Sequence, residues 1–257
     1  MKQIIILCLT VLCCVGCKKD LDTYYGESGI YFDHLKNQNI LRVDTIPFAW
    51  GELDADIKEE KINLQINLFG NVTNYDRHFT VSVVPSDDPE TAVEGVDYMP
   101  FNTDCVIPAN ESYTTLQITL KRTEILQREK RILTVKLNET DELKFLYSRE
   151  AVDEDKNIRQ IDLQRVIVMD ETLLPPSWWY GSRIRDIFGE YSMKKAITIC
   201  NVMNIDRKEW LDNSFGNRTA YLQFVGKFMH NWLQEQNPPI YEEDGETLME
   251  MGPKSKV

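Results

Sequence analysis

The 257-residue chain is poor in the residues that most enzymes need. It has three histidines, His34, His78 and His230, and no two are spaced as a local metal pair. It has no Gly-x-Ser-x-Gly elbow, no His-Glu-x-x-His helix, no phosphate-cradling glycine loop and no Cys/His nucleophile signature. These gaps argue against the enzyme classes that carry such motifs. A glycosidase escapes the argument, because it needs only two carboxylates across a cleft and the chain offers 41 Asp and Glu. Glycosidases usually need a larger scaffold with a deep groove, so the expectation is a non-enzyme. Long apolar runs are also missing: Ile4–Val15 is well short of the roughly 20 residues that span a bilayer. Basic residues are outnumbered, 29 Lys and Arg against 41 acidic side chains, for a net charge of −12. Such a surface repels nucleic acid and anionic headgroups, and no basic run with interleaved aromatics offsets it.

What is present begins at the N-terminus. Met1-Lys2, an apolar centre and a small residue before a cut site form the layout of a secretory signal. The pair Gly16-Cys17 resembles the end of a bacterial lipoprotein signal, with Cys14 standing where leucine is usual. Residues 1–17 form the signal segment, cut so that Cys17 is the acylated first residue of the mature protein, and lipid is the membrane contact. Each buried CH₂ of the acyl chains contributes about 0.8 kcal/mol, and several chains together anchor stably. Processing takes away only Lys2 among the charged residues, so the net charge moves by one, from −12 to −13. A zinc reading of Cys13, Cys14 and Cys17 fails for want of spaced partner ligands. Cys105 and Cys200 remain, far apart, and are expected as buried free thiols.

Residues 18–27 (KKDLDTYYGE) read as a polar tether. From 28 to 173 the pattern has period two. Lys61–Leu68 alternates Ile/Leu with amide and charge, as a half-buried antiparallel strand does. Further strands are predicted at His78–Val84, at Thr114–Leu120 with Leu116, Ile118 and Leu120 inward, and at Arg131–Leu137 with Leu133, Val135 and Leu137 inward. Ile158–Met169 follows, with fainter signals at Ser28–Phe32 and Arg42–Phe48. The fold class expected is mainly β: an immunoglobulin-like antiparallel β-sandwich followed by a small α-helical subdomain. Leu174-Pro175-Pro176-Ser177 breaks the chain, and residues 177–240 carry helical spacing. Asn217 is placed to cap a helix in which Tyr221, Leu222, Phe224, Val225, Phe228, Met229, Trp232 and Leu233 recur; Asn237-Pro238-Pro239 stops it. Met193, Ala196, Ile197 and Cys200 predict a shorter helix, and Asp206 with Glu209 a capping box. Residues 241–257 read as a frayed, flexible tail.

The stretches Thr91–Tyr98 (TAVEGVDY) and Val106–Glu111 (VIPANE), with the strand Thr114–Leu120 after them, resemble a Calx-β or related immunoglobulin-like module. There an A-x-x-G-x-D-Y segment precedes a strand, a tight turn and a second strand. With the lipoprotein signal, Lys18-Lys19-Asp20, the segment Trp50–Asn71 and the tail SWWYGSRIRDIFGEYS, the whole chain resembles an uncharacterised family of Bacteroidetes lipoproteins. These occur beside outer-membrane glycan-import proteins of the starch-utilisation-system type. The resemblance implies an outer-membrane location, possible exposure at the cell surface, and glycan or an import complex as partner.

Three local constellations are candidate sites. Asp87, Asp88, Glu90, Glu94 and Asp97 put five carboxylates within eleven residues. Calcium takes six to eight oxygens, and Calx-β modules bind it at acidic strand ends; the plainer reading is that Asp97 holds a turn. No other cofactor is implied. Trp178-Trp179-Tyr180 could stack on pyranose rings, or pack at least one ring between subdomains. Asp44-Thr45-Ile46 matches the Asp-Ser/Thr-aliphatic pattern of Bacteroidetes O-glycosylation at Thr45.

The ordering that follows is a glycan-binding or accessory component of a polysaccharide-uptake system first, a structural partner of an outer-membrane complex second, and a glycoside hydrolase third. In a Bacteroidetes host the wild-type chain should pellet with membranes and the Cys17→Ala chain should be recovered in solution. A Cys17→Ala chain that still pellets contradicts the lipid anchor.

Overall fold

A computed structural model describes residues 26–33, 44–152, 156 and 158–256. Cys17, the signal, most of the tether and His34 lie outside the described residues. Among the described residues ten strands come first. One sheet contains β1 (Gly29–Phe32), β3 (Glu59–Phe69) and β6 (Tyr113–Lys121), in the order β1-β3-β6. The other contains β2 (Thr45–Ala49), β4 (Arg77–Val83), β5 (Asp104–Ile107), β7 (Arg131–Asn138) and β10 (Gln164–Asp170), in the order β2-β10-β7-β4-β5. The pairings are antiparallel except that β2 runs parallel to the last strand, β10. Three strands facing five, with the start of the chain shared between the two sheets, is an immunoglobulin-like sandwich. A separate two-stranded ribbon pairs β8 (Glu150–Val152) with β9 (Ile158–Gln160).

Alternation in the sequence sets the sandwich core. Leu64, Ile66 and Leu68 of β3 face inward with Leu116, Ile118 and Leu120 of β6 and Leu133, Val135 and Leu137 of β7. Full burial of each such side chain is worth about 1.5–3 kcal/mol. The continuous strand predicted over 158–169 is two. Between its halves Asp162 is fully buried and holds the Arg149 guanidinium at 2.8 Å, so the chain turns there instead of continuing the ladder.

Beyond Pro175-Pro176 the chain is helical: α1 (Ser182–Phe188), α2 (Met193–Met203), α3 (Arg207–Leu211) and α4 (Thr219–Gln234). Ser192 caps α2 by accepting the Lys195 N–H at 3.0 Å. Asp206 caps α3 by accepting the Lys208 and Glu209 N–H groups at 2.7 and 3.0 Å. Asn217 does not cap α4. It ends a 3₁₀ turn over Asn213–Asn217, and Arg218 occupies the cap position without a side-chain bond.

The tail is not frayed. Met249 and Met251 are buried in the helical core. The Gly252 N–H and the Ser255 hydroxyl both donate to the Ile187 carbonyl, at 2.8 and 2.6 Å. Glu242 accepts from the Ser192 hydroxyl and pairs with Lys195 Nζ at 3.1 Å. A polar composition concealed two methionines at i, i+2 spacing, too few to show a period. Deleting residues 248–257 empties two core positions and should lower stability by about 2–5 kcal/mol, read as a fall in Tm. An unchanged Tm contradicts the docked tail.

Candidate functional site

The Trp178-Trp179 stacking platform is not formed. Trp178 is 9% and Trp179 1% exposed. Trp178 packs edge-on against Trp210 at 4.9 Å and near Phe215, while its Nε1–H donates to the Trp210 carbonyl at 2.9 Å. Trp179 stacks on Phe188 and meets Tyr191 edge-on, both at 5.2 Å. A Cβ on Gly216 would come within 2.3 Å of Trp178, so the aromatic box closes only around glycine. Large rings after a Pro-Pro break are the best available core for a small helical unit, and burial wins over display. Tyr180 alone is exposed, at 62%.

The proposed calcium ligands do not converge. Asp97 is buried, with Oδ2 accepting the Val93 N–H at 2.9 Å and Oδ1 accepting from Thr123 at 3.3 Å, so it holds the turn around Gly95. Asp88 accepts the Glu90 N–H, and the Glu90 carboxylate pairs with Lys130 at 3.1 Å. Asp87 and Glu94 are exposed. Among the described residues no group of three or more His, Cys, Asp and Glu is placed to hold a metal ion. Thr45 opens the edge strand β2, half-buried, with its hydroxyl donating to Asp44 at 3.4 Å. Asp44 is buried and accepts from Gln164 Nε2 at 2.7 Å.

The structure assembles a different site, at the seam between sandwich and helices. Arg122, just past β6, has a side chain only 7% exposed and forms a two-pronged ion pair with Glu171, its Nε lying 3.1 Å from Oε2. Its Nη1 donates to the carbonyls of Asp54 at 2.6 Å and Ile57 at 3.3 Å. Gly51 completes the clamp, since a Cβ there would lie 2.4 Å from the Glu171 carbonyl. The loop 53–57 is thereby fixed, and Asp54 Oδ1 accepts the Arg207 N–H at 3.0 Å. Between this loop and the α2–α3 junction lies a crevice of about 570 Å³, within the range of roughly 300–1,000 Å³ usual for small-molecule sites. Its lining is Asp54, Ala55, Asp56, Cys200, Asn201, Asn204, Ile205, Asp206 and Arg207.

Each polar wall residue has a defined environment. Arg207 is buried, and its Nη2 donates to Asn201 Oδ1 at 2.8 Å, while Nη1 has no hydrogen-bond partner. Asn204 ends α2 in the left-handed conformation, φ 50°, which asparagine tolerates. The Glu209 N–H, followed by that of Lys208, holds the Asp206 carboxyl below the usual carboxylate range. The Asp54 side chain adds, more weakly, to that lowering. Burial pushes the Cys200 thiol up to about 12, against the opposing pull of the adjacent Arg207.

Among the lining residues only Cys200 and Asp206 carried a signal in the sequence, one as a buried helix position and the other as a cap. Asp54-Ala55-Asp56 and Asn201…Asn204 are each unremarkable, and some 150 residues separate the two walls. A second missed feature is the outer face of α4, where the rings of Tyr221, Phe224 and Phe228 follow one another at 6.5 and 6.1 Å. Phe224 and Phe228 are 56% and 42% exposed. Eight apolar residues within thirteen exceed one helical face, and that excess was the available signal.

With fold and crevice described, the class can be stated: an immunoglobulin-like sandwich joined to a helical subdomain. The chain belongs to the family described as Domain of unknown function (DUF4843), which matches residues 24–205. Among solved structures it is similar to a protein of unknown function from Bacteroides ovatus, at 18% identity and TM-score 0.35, over 55% of this chain and 43% of that one. A second Bacteroides ovatus structure of unknown function aligns at 18% identity and TM-score 0.34, over 56% of this chain and 46% of that one. The chain thus spans less than half the length of either. A Calx CBD2 domain aligns at 9% identity and TM-score 0.34, over 57% of this chain and 87% of the domain. No curated protein matches. None of these likenesses points to an enzymatic activity.

The thiols give a direct check on the seam. Burial first, then neighbouring Asp104, raises Cys105 to about 11, and Cys200 stands at about 12. Both stay protonated in the folded chain while their unfolded counterparts ionise above the ordinary thiol value near 8.5. Their contribution to stability is therefore fully present below that value and is lost as pH rises from it through the folded values of about 11 and 12. At pH 9 both thiols should react slowly with Ellman's reagent until denaturant is added. Rapid labelling of Cys200 in the folded chain contradicts the closed crevice wall.

Proposed function

We propose that the chain is a lipid-anchored, non-enzymatic glycan-binding component of an outer-membrane polysaccharide-uptake system, with the seam crevice as its binding site. The crevice carries the reading: carboxylates of Asp54, Asp56 and Asp206, amides of Asn201 and Asn204, and the Arg207 guanidinium line one concave space. Carboxylates accept only, guanidinium donates only and amides do both, so the set can satisfy adjacent hydroxyls that each donate and accept. The anchor at Cys17 and the signal-like Lys18-Lys19-Asp20 support the address.

A second reading, an assembly partner of an outer-membrane complex, is favoured by the exposed aromatic stripe on α4. Exposed apolar area of this kind is how protein contacts are made. The two readings separate by binding. Residues 18–257 should bind an oligosaccharide in calorimetry. Asp56→Ala with Asn204→Gly should weaken that binding roughly 5- to 150-fold, the loss of two hydrogen bonds of about 0.5–1.5 kcal/mol each. If no glycan binds, the assembly reading takes its place. If the double variant binds as the parent does, the site lies elsewhere.

A further inference from the structure

We infer that the seam crevice accepts uncharged or amino-bearing sugars and turns away glycans that carry carboxylate or sulfate groups. The inference rests on the glycan-binding reading and adds the charge class of the ligand.

The wall sets three carboxylates, Asp54, Asp56 and Asp206, against one guanidinium, Arg207. Arg207 is buried, at 2% exposed, and its Nη2 is bonded to Asn201, while its main-chain N–H is held separately by Asp54. Nη1 is buried with no hydrogen-bond partner of ordinary geometry, and the Cys200 thiol, a weak partner, interacts with the guanidinium. A buried donor in that condition is costly until an acceptor oxygen reaches it, and a ligand hydroxyl or ring oxygen supplies one. An anionic group would satisfy the same donor. It would also bring its charge among three carboxylates, and Asp206 is kept ionised by the Glu209 and Lys208 N–H groups. One guanidinium then stands against three carboxylates, whereas a hydroxyl donates to a carboxylate and an ammonium pairs with one. The net charge of −12 adds a field of the same sign at longer distance. Acceptors abundant, one donor in need and no spare positive charge describe a polyol site.

The mature chain is applied to an array holding the same backbones in matched forms: galacturonan with and without methyl esters, and N-acetylated and free-amine glucosamine oligomers. Calorimetry then follows on the bound pairs at about 20 mM and about 500 mM salt. The neutral or amino form should bind at least about tenfold more tightly than its acidic counterpart at low salt. That preference should shrink to within about threefold at high salt, as screened repulsion requires. Asp56→Asn should narrow it at low salt. Acidic glycans bound as tightly as neutral ones, or a preference unmoved by Asp56→Asn, overturn the charge class and leave glycan binding standing. Absence of binding to any glycan overturns both.

Discussion

Everything at the seam depends on one buried cation. Arg122 leaves the sandwich core with its charge met by Glu171 and its remaining donors spent on the carbonyls of loop 53–57. Its guanidinium also lies 5.9 Å from the Trp50 ring. A buried ion that loses its partner typically costs about 3–5 kcal/mol, so the arrangement is held all or none. The loop it fixes is the one that turns Asp54 toward the start of α3. A sandwich and a helical unit with separate hydrophobic cores are thereby placed at a defined distance, and the crevice is the space left between them.

The two cores have different characters, and this explains which parts of the chain do what. The sandwich core is aliphatic and built from period-two strands, whose outer faces remain polar. The helical core is an aromatic box of Trp178, Trp179, Phe188, Trp210 and Phe215, closed by the returning tail. The family match ends at residue 205. It therefore includes Asp54, Asp56, Asn201 and Asn204 but stops short of Asp206 and Arg207. The crevice straddles that limit.

The sandwich was legible because burial on one face writes itself as alternation: β3, β6 and β7 fall where Lys61–Leu68, Thr114–Leu120 and Arg131–Leu137 predict them. Helices α2 and α4 were legible by their 3.6-residue spacing. Three-dimensional choices were not. Whether Trp178 and Trp179 faced solvent depended on Gly216, 38 positions beyond Trp178, leaving room for a ring. Whether the tail docked depended on Met249 and Met251 finding space beside α1. The crevice was invisible because its walls come from a turn in the sandwich and a helix junction, each polar and locally ordinary. The acidic loop shows the converse: residues close in sequence point to separate partners, and Asp97 holds the turn that its plainer reading assigns it.

The most direct test of the seam as a binding site is a crystal structure of residues 18–257 soaked with a neutral oligosaccharide. The account predicts a sugar ring in the crevice, with its hydroxyls on Asp56 and Asn204 and an oxygen within hydrogen-bond distance of Arg207 Nη1. Sugar density along Phe224 and Phe228 with the crevice empty would contradict it.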